Sequence, residues 1–286
     1  MTILVTAASG QLGHLVVDAL IARGASPDSI VAGARTVAKA ADLADKGVRV
    51  VPLDYTVPES IDAALDGVDS VLLISGSDPG VRLAGHLNVI EAAARAGVKK
   101  LAYTSVSHAD TSELVLAPDH KATEEAIAAS GIPAVLLRNN WYIENSAGDL
   151  ATAAQTGVLS AAVGDGVVSA AARIDFAEAA AVVMLDDAHI GRTYELAGPR
   201  ATYADIAAAM SEVLGREVVY APATADELAA RLSSFGLDEG TVGFVVALDA
   251  GIARGDLDVT DPALTDLIGR PATSWVDALR AIAPAS

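Results

Sequence analysis

Residues 1–24 read MTILVTAASGQLGHLVVDALIARG, and this stretch decides the fold. The apolar run Ile3–Val5 predicts a buried strand, and it passes directly into small residues and two glycines. Apolar residues then recur at helical spacing, so a helix with one buried face should begin at once; that face consists of Leu12, Leu15, Val16, Ala19 and Leu20. The stretch therefore predicts a strand that turns tightly into a helix.

The turn between this strand and this helix is suited to an anion. The free N–H groups of a helix N-terminus, together with the helix dipole, favour negative charge. Gly10 would let a ligand approach the backbone closely, and Gly13 would let the helix pack closely on the strand. We therefore predict that the turn binds the pyrophosphate of a dinucleotide; glycines that serve packing alone are the alternative.

Length and composition narrow the classes of protein. The chain has 286 residues, of which 52% are hydrophobic, so it can form one large α/β domain or a main domain with a smaller one. It shows neither an apolar run long enough to span a membrane nor a signal-peptide pattern, so we expect a cytoplasmic protein. A net charge of −18 should repel nucleic acid and anionic membranes, so we expect neither as a partner. Without cysteine, and with five histidines at no metal-ligand spacing, we expect no thiol chemistry and no metal site.

Strand-like and helix-like runs alternate through the first half of the chain. Further strands are predicted at Ile30–Ala34, Val48–Leu53, Val71–Ile74, Leu101–Thr104 and Pro133–Leu137. Helices are predicted at Thr36–Lys46, at Lys121–Ala129, and before Gly97 with a buried face of Leu83, Leu87, Ile90 and Ala94. This alternation predicts an α/β protein with a doubly wound, Rossmann-type, mostly parallel sheet.

The pattern changes after Trp141, which suggests a second unit. We predict a dinucleotide-binding domain over residues 1–145 and a smaller, mainly helical, substrate-side domain over residues 146–286. A segment near residues 170–198 should return to the main sheet. Asp175 and Glu178 are interpreted as part of a helix N-terminus rather than as a catalytic pair of carboxylates.

The end of the second strand indicates which nucleotide binds. An NAD site carries Asp or Glu there to bind the ribose hydroxyls, but this chain has Arg35 and Lys39 in that region and no acid. A guanidinium can hold a 2′-phosphate with two hydrogen bonds, whereas a carboxylate would repel it. We therefore predict NADP(H) as the cofactor; a solvated basic helix start is the alternative.

Several longer motifs indicate a family, among them VTAASGQLG, LDYTVPESIDAALDGVDSVLLISGSD, HLNVIEAAARAGVKKLAYTS, LLRNNWYIEN and YELAGP. Over nearly its whole length the chain resembles the NmrA-like branch of the atypical short-chain dehydrogenase/reductases. It especially resembles the bacterial NADPH-dependent quinone oxidoreductase type.

The resemblance implies which residues touch the cofactor. These residues lie directly after each of the first four strands. They are Thr6, Ala8, Ser9, Gly10, Gln11, Leu12, Gly13, Arg35, Asp54, Tyr55, Ser75, Gly76 and Ser77. The loop from Asn139 to Asn145 would lie near the nicotinamide. One position departs from the family, which usually has glycine where this chain has Ala7, and a Cβ atom there could crowd the turn.

The acid–base pair of typical short-chain dehydrogenases is missing. These enzymes use Tyr-x-x-x-Lys, with the tyrosine as general acid. When Glu124 is taken as the anchor, the tyrosine position holds Leu116 and the lysine position holds His120, while Lys121 lies one residue out of register. The substrate should therefore need hydride more than a proton donor, which favours two-electron reduction of a quinone by NADPH.

Residues near the missing pair are candidates for the chemistry. His120 would donate a hydrogen bond to a developing oxyanion or to the nicotinamide ribose; a solvent-facing histidine at a helix start is the alternative. Tyr103 and Ser105 share one face of the fifth strand, and each is either a cofactor contact or a packing residue.

The end of the sixth strand supplies two amides and two aromatic rings. Asn139 and Asn140 would bind the nicotinamide carboxamide or a quinone oxygen, and Trp141 and Tyr142 would stack on a flat ring. We take His120, Asn140 and Tyr142 as the catalytic candidates. The alternative is an Asn-rich turn whose aromatic residues fill the junction between the domains.

Three functions stay open at this point. The first is an NADPH-dependent quinone oxidoreductase, and the second is a non-catalytic protein that senses NADP(H). The third is a reductase of another activated acceptor, such as a dye, an imine or an enone. The sequence leaves the choice between monomer and homodimer open.

Overall fold

The computed structural model describes residues 1–78 and 80–283. Within them the strands are β1 (Ile3–Val5), β2 (Ile30–Ala34), β3 (Arg49–Pro52), β4 (Ser70–Leu73), β5 (Lys100–Val106), β6 (Ala134–Asn139), β7 (Val158–Leu159), β8 (Val167–Val168), β9 (Thr193–Leu196), β10 (Ala201–Thr202) and β11 (Val219–Tyr220). The α-helices are α1 (Gln11–Ala22), α2 (Ala41–Asp45), α3 (Pro58–Ala64), α4 (Arg82–Ala96), α5 (Ala117–Ser130), α6 (Ala147–Thr156), α7 (Arg173–Leu185), α8 (Tyr203–Leu214), α9 (Ala225–Ser234), α10 (Glu239–Arg254), α11 (Ala263–Ile268) and α12 (Trp275–Ile282).

The main sheet has seven strands in the order β3-β2-β1-β4-β5-β6-β9. Every pairing in it is parallel. The strand order reverses between β1 and β4, and ligands of doubly wound sheets bind in the crevice at such a point. The predicted Rossmann-type fold is confirmed, and β9 joins the edge beside β6 within the segment expected to return to the sheet.

Helices cover both faces of the main sheet. On one face α1 packs against α7, and Val5, Val16 and Phe176 belong to the buried cluster there. On the other face the cluster contains residues of α3, α4 and α5, such as Ile61, Ile90 and Ile127. Parallel strands covered on both faces read as continuous apolar runs, which is why the first strands were recognisable.

The C-terminal region is mainly helical. Its core brings together α6, α8, α10 and α12, with Leu150, Ile206, Ile252 and Leu279 buried in one cluster. Two small sheets complete it, since β10 pairs antiparallel with β8 and β11 pairs parallel with β7. The domain boundary between residues 145 and 146 stays a prediction.

The predicted helices differ from the structure in three places, one of which is that α5 begins at Ala117 rather than at Lys121. The segment predicted as one helix from Thr36 to Lys46 is a 3-10 turn at Val37–Ala40 followed by α2. The buried face of α4 was wrong, because it consists of Arg82, Gly85, His86, Val89, Ile90, Ala92 and Ala93. The predicted face shares only Ile90 with it, since a search for apolar residues passes over a buried arginine, glycine and histidine.

Two features of the described residues bear on the classes of function. None of their helices is both long enough and apolar enough to cross a bilayer. Nor do residues 1–78 and 80–283 bring together three or more His, Asp or Glu side chains in a group that could hold a metal ion.

Candidate active site at the carboxyl edge of the sheet

The predicted cofactor segments lie at one edge of the molecule. Parallel strands all end at the same edge, so the loops that follow β1, β2, β3 and β4 are neighbours. The ends of β5 and β6, which carry the candidates for chemistry, lie at the same edge. The fold therefore gathers the cofactor candidates and the catalytic candidates on one side of the sheet.

The β1–α1 turn is built for close packing. The amide of Ala8 donates to the carbonyl oxygen of Gly33 at 2.8 Å, and the amide of Gly10 donates to that of Ala7 at 2.9 Å. A Cβ atom on Gly13 would lie 2.9 Å from the Cα atom of Ala8, so only glycine fits there. The predicted packing role of Gly13 follows directly from this distance.

The start of α1 has no side-chain cap among residues 1–78 and 80–283. Its N-cap residue is Gly10, which has no side chain to accept from the first turn, and that turn holds no acidic residue. The first N–H groups of a helix lack intrahelical partners, so they are available to an anion. Ala8 and Leu12 bury their side chains in the core, whereas Ser9 is half-buried and Gln11 is exposed. Any contact that Ala8 or Leu12 makes with a phosphate must therefore come from the backbone.

The position that departs from the family is conformationally strained. Ala7 has a φ of +48°, in the left-handed region where a Cβ atom is unfavourable. We expect Ala7→Gly to raise the free energy of unfolding by about 0.5 kcal/mol, because relief of strain exceeds the added freedom of the unfolded chain. NADPH affinity should be kept or improved. Urea denaturation gives the first quantity and fluorescence titration the second.

Ala8→Gly is the control for this prediction. Ala8 is adjacent and fully buried, and it is not among the described residues with positive φ. Its replacement should lower the free energy of unfolding. If both replacements destabilised the protein equally, the left-handed backbone at Ala7 would carry no strain.

Thr6 and Tyr55 use their side chains inside the protein. The hydroxyl of Thr6 accepts from the amide of Ile74 at 2.9 Å and contacts the hydroxyl of Tyr55. Tyr55 donates to the carbonyl oxygen of Ile74 at 2.8 Å. These bonds tie the ends of β1, β3 and β4 together, so both residues shape the edge of the sheet.

Arg35 and Lys39 are exposed after β2. Within residues 1–78 and 80–283, no carboxylate lies within ion-pair distance of either side chain. Asp54 accepts from the amide and hydroxyl of Thr56, and these bonds, with a smaller contribution from Arg35, lower the pKa of Asp54. The structure thus presents two unpaired cations where the 2′-phosphate was predicted, in a protein whose net charge is −18.

The loop after β4 is held in place by hydrogen bonds to buried side chains. The amide of Ser75 donates to the hydroxyl of Thr104 at 2.9 Å, and the amide of Gly76 donates to Nε2 of His86 at 2.9 Å. The guanidinium of Arg82 donates through Nε to the carbonyl oxygen of Gly76 at 2.7 Å. Ser77 follows in a bend. Buried side chains of α4 therefore hold the backbone of this predicted cofactor loop.

His120 does not face solvent, so that alternative was wrong. It is only 5% exposed, and its Nδ1 lies 2.8 Å from the hydroxyl of Tyr103. Burial, with a contribution from the Arg82 guanidinium, lowers the pKa of His120 to about 3. Tyr103 is fully buried and lies behind His120, where it serves as a hydrogen-bond partner of that histidine.

Ser105 belongs to a buried ion-pair network. Its hydroxyl donates to Oε1 of Glu124 at 2.6 Å. Arg138 binds the same carboxylate through two nitrogens, at 3.0 and 2.7 Å, and also contacts Asp110 and Glu195 at 2.8 and 3.1 Å. The packing interpretation of Ser105 therefore fits the structure better than a cofactor contact.

The two amides after β6 differ in their partners. Asn140 donates to the hydroxyl of Ser107 and to the carbonyl oxygen of Leu257, and accepts from the amide of Trp141 at 2.8 Å. Its side chain is thus committed to joining the C-terminal region to the sheet. Asn139 donates to the hydroxyl of Tyr142 at 3.2 Å, while its buried Oδ1 has no hydrogen-bond partner among the described residues. Of the two residues, Asn139 rather than Asn140 therefore keeps a side-chain oxygen that can accept a hydrogen bond from a ligand.

The two aromatic residues after β6 lie against different parts of the core. Tyr142 packs edge-on against Phe176 with ring centroids 5.2 Å apart, and the guanidinium of Arg173 lies 5.0 Å from its ring centroid. Trp141 is half-buried and packs against the core of the C-terminal region. Both residues pack against buried clusters, and Trp141 keeps part of its surface exposed.

A sequence profile of the NmrA-like family matches residues 1–242 of the chain. The chain belongs to the NmrA-like family. Quinone oxidoreductase 2 of Escherichia coli is 42% identical to this NmrA-like protein over 278 residues, which cover 97% of each chain. The family resemblance inferred from sequence motifs is confirmed.

Two solved structures share the whole fold of the chain. The NADPH-dependent quinone oxidoreductase of Escherichia coli in complex with NADPH matches with a TM-score of 0.94 and 41% identity, covering 98% of this chain and 99% of that one. Citrobacter sp. triphenylmethane reductase in complex with NADP(H) matches with a TM-score of 0.93 and 35% identity, covering 99% and 100%. This NmrA-like protein thus has the full architecture of both reductases.

Sequence reasoning missed several residues that build the site. These are Arg82, His86, Thr104, Thr123 and Arg138, all of which hold loops or candidate residues in place. The sequence held one signal for them, which is the spacing of two polar residues. An arginine and a histidine four residues apart fall on the same face of a helix, as Arg82 and His86 do on α4.

Proposed function

We propose that this NmrA-like protein is an NADPH-dependent oxidoreductase that reduces quinones by two electrons. The observation that carries the proposal is the full-length match, in sequence and structure, to the NADPH-dependent quinone oxidoreductase of Escherichia coli. The site geometry adds support, because the start of α1 and Arg35 lie at one edge of the sheet and neither has a side-chain partner among residues 1–78 and 80–283.

The residues of the edge fit NADPH in three respects. The start of α1 offers N–H groups to the pyrophosphate. Arg35 and Lys39 offer positive charge to the 2′-phosphate, and Oδ1 of Asn139 is a buried acceptor suited to an amide N–H group. When bound, NADPH supplies the hydride. We assign the remaining contacts to the backbone of the β1–α1 turn and to the loops at Asp54–Tyr55 and Ser75–Ser77.

Arg35 should discriminate between the two nicotinamide cofactors. We expect Arg35→Ala to weaken NADPH binding by about 1.5–3 kcal/mol, as for a lost hydrogen bond to a charged group, and to leave NADH binding nearly unchanged. Lys39→Ala should have the same direction and a smaller effect. Dissociation constants from fluorescence titration with each cofactor measure both effects.

Arg49→Ala is the matched control. Arg49 is exposed at the start of β3, so its loss changes the net charge equally but at the opposite edge of the sheet. NADPH affinity should stay close to that of the wild type. Equal weakening of NADPH and NADH binding by Arg35→Ala would contradict the role assigned to this residue.

The absence of a strong proton donor favours a quinone over a ketone. Leu116 replaces the tyrosine, and His120, whose pKa is lowered to about 3, is a neutral imidazole at neutral pH, which can donate a hydrogen bond but is too weak an acid to protonate an alkoxide as a general acid. Hydride transfer to a simple ketone produces a basic alkoxide, for which a positioned acid contributes about 10²–10⁴-fold. A quinone becomes an aromatic hydroquinone anion that water can protonate, so this site needs only to bind and orient it.

Asn140 and Tyr142 have a supporting role in this proposal. The side-chain amide of Asn140 donates hydrogen bonds to the hydroxyl of Ser107 and to the carbonyl oxygen of Leu257, and in this way it positions the C-terminal region next to the strand ends. The ring of Tyr142 packs edge-on against Phe176, and the guanidinium of Arg173 lies over one of its faces, so that face is already occupied. The exposed part of Trp141 is the better candidate for contact with a flat acceptor.

A panel of acceptors tests the function. NADPH oxidation should be rapid with a benzoquinone and at least about 100-fold slower with a simple ketone, because only the ketone needs the missing acid. A triphenylmethane dye belongs in the panel, since a structurally similar Citrobacter sp. protein is a triphenylmethane reductase. Faster turnover of the dye than of any quinone would move the proposal to dye-like acceptors. Efficient ketone reduction would refute the argument from the missing acid.

A further inference from the structure

A buried polar cluster lies behind His120, between β5, α4 and α5. It consists of His86, Tyr103, His120 and Thr123; three of these are 0% exposed, and His120 is 5% exposed. Only His120 has a place in the proposed function. The hydrogen bonds of the cluster determine which nitrogen of each imidazole carries the proton.

The proton of His86 can be assigned from one backbone amide. The N–H of Gly76 donates to Nε2 of His86 at 2.9 Å, so Nε2 is the acceptor and carries no proton. Burial, helped by the Arg82 guanidinium, lowers the pKa of His86 to about 4, so the ring is neutral and its proton is on Nδ1. Nδ1 lies 3.0 Å from the hydroxyl of Thr123, which donates its own proton to the carbonyl oxygen of Asp119 at 2.7 Å.

This assignment fixes the direction of the bond between Tyr103 and His120. The hydroxyl of Tyr103 lies 3.5 Å from Nδ1 of His86, which already carries a proton and cannot accept. It lies 2.8 Å from Nδ1 of His120, which is therefore its acceptor. Burial raises the pKa of Tyr103, so the phenol keeps its proton. The neutral ring of His120 then carries its own proton on Nε2.

We propose that Tyr103 and His86 are positioning residues that hold His120 in the Nε2–H tautomer, as a fixed hydrogen-bond donor to an oxygen of the reacting cofactor or quinone. Across residues 1–78 and 80–283, Nε2 of His120 has no hydrogen-bond partner within the protein. The part that concerns the reaction rests on the proposed function, whereas the tautomer is a property of the protein alone. The assignment of both tautomers starts at the Gly76 amide, so the loop after β4 and the donor on α5 are linked through the same buried cluster.

Nitrogen NMR of histidine tests the tautomer without any ligand. In protein labelled with ¹⁵N-histidine, His120 should show a protonated Nε2 and an unprotonated Nδ1. Tyr103→Phe removes only the hydroxyl and should shift His120 toward a mixture of tautomers. A protonated Nδ1 in the wild type, or an unchanged His120 spectrum in Tyr103→Phe, would overturn the proposal.

The chain contains a matched control for this variant. The hydroxyl of Tyr194 lies 2.7 Å from Nδ1 of His189, and the ring centroids are 5.8 Å apart, as they are for Tyr103 and His120. This pair lies at β9, the edge strand of the sheet. Tyr194→Phe should change the spectrum of His189, leave that of His120 unchanged, and keep quinone reduction within about twofold of the wild type.

Amide replacements of His120 test the donor in the reaction. The amide nitrogen of glutamine can take the place of Nε2, whereas that of asparagine falls near Nδ1. We expect His120→Gln to retain more kcat/KM for quinone than His120→Asn, and Tyr103→Phe to lose about tenfold. Equal activity of the two amide variants would refute the donor role. A wild-type enzyme that fails to reduce quinones would instead refute the proposed function, and the NMR result would then decide the tautomer by itself.

Discussion

Replacement of Gly10 by valine is expected to weaken the binding of NADPH and NADH by about 100-fold or more, equivalent to at least ~2.7 kcal/mol. Gly10 is the N-cap of α1, and its exposed Cα borders the N–H groups assigned to the pyrophosphate. A branched side chain would occupy the space that the phosphates need. Fluorescence titration with both cofactors measures the loss.

The fold should survive this replacement. Gly10 has an ordinary φ of −84°, and an added Cβ atom would meet only the carbonyl oxygen of Ala7, at 3.1 Å. Gly148→Val is the control, because Gly148 lies in the first turn of α6 with open space around it. This variant should bind NADPH like the wild type. Normal NADPH affinity in Gly10→Val would mean that the glycines of the β1–α1 turn serve packing alone.

Replacement of Arg138 by methionine is expected to lower the free energy of unfolding by about 3 kcal/mol or more. Arg138 is 11% exposed and neutralises Glu124, which is 9% exposed, through two short hydrogen bonds. Methionine preserves the length of the side chain but leaves this carboxylate buried without its cation. Urea denaturation at neutral pH measures the change.

Arg95→Met is the control for the buried ion pair. Arg95 and Asp62 are joined at 2.8 Å, but their side chains are 58% and 56% exposed. Exposed pairs contribute about 0–1 kcal/mol, so this variant should be far less destabilised than Arg138→Met. If the two variants lost similar stability, burial of the network at Glu124 would not be what makes it important.

The first half of the fold could be predicted because its signals are local. The strand Ile3–Val5, the glycines of the turn and the start of α1 are contiguous, and the same alternation repeats through β6. Strands buried on both faces and helices with one apolar face leave a periodic pattern in a single sequence. The family motifs then added the cofactor and the acceptor class.

The α4 helix shows where periodicity fails. Its buried face includes Arg82, Gly85 and His86, which a hydropathy pattern assigns to solvent or to a break. Gly85 is needed because a Cβ atom there would lie 2.9 Å from the Cβ atom of Tyr55. Arg82 and His86 are buried because the backbone of Gly76 supplies their partners. These partners are visible only when the chain is folded.

The catalytic candidates could be located but not given roles. His120 and Asn140 lie at the predicted edge, yet what each can do depends on partners distant in sequence. Leu257 lies 117 residues from Asn140 along the chain, and its carbonyl oxygen accepts a hydrogen bond from the side-chain amide of Asn140. Tyr103 lies 17 residues from His120 and fixes its ring. No spacing rule connects such pairs, so a sequence can name the residues without showing which hydrogen bonds remain free.

Anaerobic stoichiometry tests the central claim most directly. The wild-type enzyme is mixed with a limiting amount of a benzoquinone and an excess of NADPH, and NADPH loss and hydroquinone formation are followed together. The account predicts one NADPH consumed for each hydroquinone formed, with NADH a much poorer donor. Tight NADPH binding without any oxidation by the quinone would contradict it and would identify the protein as a sensor of NADP(H) rather than a reductase.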